Sequence, residues 1–96
     1  MDFLDLFDIV AKQTILQPRK YIRPQSCATG FTEDAIGLDS LDRVMTLTLL
    51  GEIYAVPPDV LDRAPRIDTI GDLKALLERE GLRIPGTVEE ARNYLQ

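Results

Sequence analysis

Gly37-Leu38-Asp39-Ser40-Leu41-Asp42-Arg43-Val44-Met45-Thr46-Leu47-Thr48-Leu49-Leu50-Gly51-Glu52-Ile53-Tyr54 is the stretch whose reading decides the fold. Asp39 has a short carboxylate that can accept from the free amides of a first helical turn, so the spacing predicts a helix from there to Tyr54. Leu41, Val44, Met45, Leu47, Leu49, Leu50 and Ile53 go most of the way round it. Such a helix either sits centrally or keeps one apolar face for a ligand or partner. Pro57 and Pro58 stop it, and residues 59–63 offer a single further turn before Pro65.

Outward from this centre the other elements are shorter. Asp2 can cap a first helix from Phe3 to about Leu16, closed by Pro18, with Phe3, Leu6, Phe7, Val10 and Ala11 on one face. From Gln17 to Leu38 the periodicity fails. Pro24, Ser26, Thr29, Gly30 and Gly37 punctuate a long ordered loop that Tyr21, Ile22, Phe31 and Ile36 pin to the core. Thr69 with Asp72 opens another helix with Ile70, Leu73, Leu76 and Leu77 as its buried stripe, ending at Gly81. Beyond it, Pro85 and Gly86 turn the chain, and Thr87 with Glu90 forms a capping box for a short helix over Val88 to Leu95. Val88, Ala91, Tyr94 and Leu95 share one face of it. Strand signals are weak, so the expected fold class is all-α: a main unit over residues 1–80 and a short docked helix in 81–96.

Composition narrows the function classes. Ninety-six residues, 45% apolar and 28% charged, supply one small core and leave no room for a second. There is no His and no Trp, and Cys27 is the only cysteine, so Ser-His or Cys-His nucleophile pairs and His or Cys metal cages are excluded. No metal site and no membrane span are expected. No charged-then-apolar leader opens the chain, and a cytoplasmic location is expected. The net charge is -5, and it is concentrated: residues 32–62 hold seven acids and one base, Arg43. That region should repel phosphate backbones and attract Arg or Lys patches, so nucleic acid is not an expected partner.

The chemistry rests on Ser40. First-turn amides of a helix are unpaired and carry the positive end of its dipole, so a phosphate esterified there is stabilised by about 0.3 to 1 kcal/mol. Gly37 lets the backbone turn ahead of it. A serine or aspartate at a helix start is also among the commonest caps, and taken alone the hexapeptide reads as nothing more.

The order of parts resembles the acyl carrier protein family: an amphipathic first helix, a long loop ending in Gly-x-Asp-Ser-Leu, a central helix ending in an aromatic, a proline turn and a last helix opened by Ile-x-Thr-Ile. Here these are Gly37, Asp39-Ser40-Leu41 with Asp42, Tyr54, Pro57-Pro58-Asp59 and Ile67-Asp68-Thr69-Ile70. The likeness covers about Phe3 to Arg79. It implies a four-helix bundle of three longer helices and one short, with a long first loop and here an extra C-terminal helix. It implies that Ser40, flanked by Asp39 and Leu41, is where a phosphopantetheinyl transferase attaches 4'-phosphopantetheine from coenzyme A. The arm then carries acyl groups as thioesters between acyl-loading and acyl-transferring enzymes, and the protein, a monomer, catalyses nothing itself. It further implies an acyl slot with Leu50, Leu61 and Ile67 as lining, and a docking face that takes in Asp42, Val44, Met45 and Glu52.

The sequence departs from the family's pattern at Met45 and Gly51, where members commonly carry glutamate, and Arg43 adds a positive charge. Partner recognition should therefore lean on apolar contact more than charge, which points to a specialised lipid, polyketide or secondary pathway. Gly51 costs about 1 kcal/mol of helix propensity, so a close packing contact or a local bend is implied. Asp39 ahead of the serine favours an acyl over a peptidyl or aminoacyl carrier. The competing class is a non-carrier helical interaction module that uses the acidic central region.

Overall fold

The computed structural model describes residues 2–14, 20–63 and 66–94. Among the described residues six helices follow one another: α1 (Phe3–Thr14), α2 (Glu33–Ile36), α3 (Ser40–Tyr54), α4 (Pro58–Asp62), α5 (Ile70–Glu80) and α6 (Val88–Asn93). Among the described residues there is no strand, and a single isolated bridge joins Gly30 to Thr69. The all-α reading holds at this level. The expected extension of α1 to Leu16, its closure by Pro18, and the places of Pro65 and Leu95 lie outside the described residues.

α3, the longest helix among the described residues, packs chiefly against α1, with α5 and α4 also against it. The stripe Phe3, Leu6, Phe7, Val10 and Ala11 is buried as its spacing predicts, and so are Ile70, Leu73, Leu76 and Leu77 of α5. Phe3 meets Tyr54 and Phe7 meets Phe31 edge-on, at 6.5 and 6.0 Å between ring centres, a favoured aromatic geometry. Each main helix start is capped locally. Asp39 Oδ1 accepts from Asp42 N–H at 2.8 Å, and Thr69 and Asp72 form a complete capping box. At α6 the box is altered: Thr87 Oγ1 accepts from Glu90 N–H, but Glu90 Oε2 accepts from Gly86 N–H, one residue upstream of the cap.

The described part of the long loop is ordered as expected, but it also contains a helix. Thr32 Oγ1 accepts from Ala35 N–H and opens α2, a helix the periodicity missed because it lasts only four residues. Gly37 ends α2 at φ 71°, and a Cβ there would come 1.6 Å from the Lys20 carbonyl oxygen. Backbone bonds from Phe31 to Asp68, Ile70 to Thr29 and Gly71 to Cys27 tie the loop to the start of α5. Phe31 and Ile36 are buried, and Tyr21 is half-buried with its hydroxyl donating to Asp8 Oδ1 at 2.9 Å. Ile22 corrects the expectation of a core anchor: its side chain is exposed, and its N–H bonds to the Ile36 carbonyl instead.

The C-terminal segment is tied in. Ala91 is fully buried and α6 packs on α1. Arg83 donates from Nε to the Ile53 carbonyl at 2.7 Å and from Nη2 to the Glu52 carbonyl at 2.8 Å, with its guanidinium 3.5 Å above the Tyr94 ring. A cation thus occupies the negative end of α3. No helix among the described residues is long and apolar enough to cross a membrane.

Candidate functional site

Ser40 is the first residue of α3, and it is exposed. Three features hold it there. Leu38 is fully buried and anchors the approaching chain. Asp39, in extended conformation, caps the helix with its side chain. Arg43 reaches back from the second turn, donating to the Asp39 carbonyl at 3.3 Å and the Phe31 carbonyl at 3.2 Å. The serine therefore sits on a fixed turn. Its neighbours' polar groups are spent on the backbone, and its hydroxyl has no bond to another described residue.

Ser40 lines a mostly apolar groove of about 300 Å³, whose other walls are Phe31, Arg43, Val44, Leu47, Leu61 and Ile67. Two of the expected slot residues, Leu61 and Ile67, lie there. Leu50 does not: it is fully buried in the core, on the side of α3 that meets the core cluster. Leu47, one turn earlier and only partly buried, lines the groove instead, and Phe31, expected only to pin the loop to the core, adds an aromatic. A second cavity of about 340 Å³ continues along α3 past Thr48 and Gly51 to Val56. Gly51 makes the close approach that its poor helix propensity implied, since a Cβ there would lie 2.6 Å from Leu61 Cδ1.

On α3's outer face Leu41, Val44 and Met45 are 60, 58 and 46% exposed, and Glu52 is exposed further along. Leu41, Val44, Met45 and Thr48 are spaced three, four and seven apart, so they form one stripe. Asp42 is the correction. Expected as an exposed docking acid, it is 7% exposed and turns toward a recess of about 550 Å³ lined by Lys20, Glu33, Asp34 and Asp39. Burial, with the nearby charge of Asp39, pushes its carboxyl above the usual carboxylate range. Nothing in the pattern separated it from its exposed neighbours, because α3 is apolar on most sides. Thr46 is likewise buried, donating to the Asp42 carbonyl at 2.9 Å and lying 3.1 Å from Thr14 Oγ1.

Among the described residues no three His, Cys, Asp or Glu side chains are placed to hold a metal ion, the acidic recess included. Cys27 is exposed, on the loop beside α5. A scan of protein-family models and searches of curated proteins and of solved structures found no match to this chain.

Proposed function

We propose that this chain is an acyl carrier protein with an acyl-carrier-like helical bundle, modified on Ser40 and serving a specialised lipid, polyketide or secondary pathway. One observation carries the reading: an exposed serine at the amino end of α3 lines a mostly apolar groove.

The residues fit 4'-phosphopantetheine. A phosphodiester on Ser40 Oγ lies at the positive end of α3, where first-turn amides have no intrahelical partner and Asp39 occupies only that of Asp42. When attached, the arm supplies a terminal thiol that carries an acyl group between enzymes. In the attachment, Ser40 Oγ bonds to the phosphorus next to pantetheine, the pyrophosphate bond of coenzyme A breaks, adenosine 3',5'-bisphosphate leaves and the transferase takes the hydroxyl proton. Asp39 fixes the turn, and Leu41 stands beside the ester. The groove walls exclude water from an apolar cargo, and the area is small enough for that cargo to be released. Leu41, Val44 and Met45 offer the transferase and acyl-handling enzymes an apolar contact, with Glu52 at its far end.

The test is intact-mass spectrometry after incubation with coenzyme A and a broad-range phosphopantetheinyl transferase. The wild-type chain is expected to gain one arm and Ser40→Ala none. No gain in the wild type would overturn the carrier reading in favour of an interaction module that uses the exposed stripe of α3. Amino acids rather than acyl groups on protein recovered from cells would assign it to the peptidyl carriers.

A further inference from the structure

Leu61 stands at a junction. The Ser40-side groove and the cavity beyond it share the walls Val44, Leu47 and Leu61, and Leu61 is the one of the three that comes from outside α3. Its Cδ1 fills the space that any side chain at position 51 would need. The helix that bears it is weakly held: α4 has five residues, none of them buried, and no side-chain bond at its amino end. Elements with so few buried contacts open at low cost.

We infer that Leu61, seated in the recess left by Gly51, is a specificity-determining residue that sets how long an unbranched acyl chain the protein shelters. The inference rests on the carrier reading. At roughly 30 Å³ per methylene-sized group, about the volume of a water molecule in the liquid, the near groove takes on the order of ten such groups. An acyl chain that enters the near groove from the end of the arm and outgrows it meets Leu61, and must displace it to reach the cavity past Thr48 and Val56. Shortening Leu61 removes that stop without touching Ser40, Asp39 or the stripe at Leu41, Val44 and Met45. Enlarging it brings the stop closer.

The experiment loads the full chain from acyl-coenzyme A donors of increasing saturated chain length with a broad-range transferase, confirms each loading by mass, and reads the melting temperature. For the wild type the melting temperature is expected to rise with chain length and then level off. In Leu61→Ala the levelling point moves to chains longer by about three methylenes or more, three being the heavy atoms removed. In Leu61→Phe it moves to shorter chains, and this variant carries the test should the alanine form not fold. Loaded proteins whose levelling point is the same in all three, or which show no dependence on chain length, overturn the inference and leave the carrier reading standing. Absence of loading in the wild type overturns both.

Discussion

At Gly37 a single missing side chain determines how the loop reaches Ser40. The left-handed φ of 71° and the 1.6 Å that would separate a Cβ from the Lys20 carbonyl leave no room for alanine without moving backbone. Gly37→Ala is expected to destabilise the fold by about 2 to 4 kcal/mol, read as a lower midpoint in denaturant. Two tyrosines make a second prediction at this scale. Burial, aided by the charge of Glu78, pushes the Tyr54 phenol from 10.0 up to about 12, and Tyr21 is pushed up in the same sense by burial and its bond to Asp8. The fold thus prefers neutral Tyr54. That contribution is whole below pH 10 and is lost as pH rises through 12, amounting to about 3 kcal/mol at 1.36 kcal/mol per unit. Tyr54→Phe should lose less stability than the wild type between pH 10 and 12, measured by chemical denaturation at each pH; parallel curves would refute it. Gly37 and Tyr54 were both visible in the sequence as turn and helix end. The burial of Asp42 was not, because an acid in a first turn is ordinarily solvated and only the recess beside α2 makes this one different.

At the scale of elements, what could be read locally was read well. Asp39, Thr69 and Thr87 each accept from the amide three residues on, and a contact of that span is written in adjacent letters. Rotation of α3 was illegible for the opposite reason. With apolar residues nearly all round, the sequence does not say that Leu50 is fully buried in the core while Leu47, only partly buried, also lines the groove. Arg83 was missed entirely, since its bonds to Ile53 and Glu52 cross some thirty residues. Those two bonds, at the negative end of α3 and under a stacked Tyr94, make Arg83 a direct side-chain tie between the C-terminal segment and the helix that bears Ser40. Arg83→Ala is expected to cost about 1 to 3 kcal/mol, from lost capping, dipole and cation–π terms. Arg83→Lys should recover only part, because an ammonium lacks the planar fork. Equal melting temperatures for wild type and Arg83→Ala would show that other contacts dock the segment.

For the whole molecule the question is whether the segment after Gly81 reaches the functional end. The Cα radius of gyration, 12.2 Å, is close to the roughly 12.5 Å expected of a 96-residue compact chain, so the segment adds no protruding lobe. Its contacts fall on α1, through Ala91, and on the carboxyl end of α3, through Arg83. The fourteen steps from Ser40 to Tyr54, at about 1.5 Å each, put that end about 21 Å from Ser40. The segment therefore stabilises α3 from behind and leaves the serine, the groove mouth and the exposed stripe uncovered. A perturbation of α6 should lower stability without changing what a transferase meets. Ala91→Leu overpacks the contact with α1 and is expected to cost about 1 to 3 kcal/mol. Measured well below its melting temperature, the rate of arm transfer to Ser40 should stay within about two-fold of the wild type, because α6 packs chiefly on α1, away from the amino end of α3. A several-fold slower transfer in a variant that keeps its helical circular dichroism would mean that the two ends of α3 are coupled, and that the C-terminal helix belongs to the docking apparatus rather than to the scaffold.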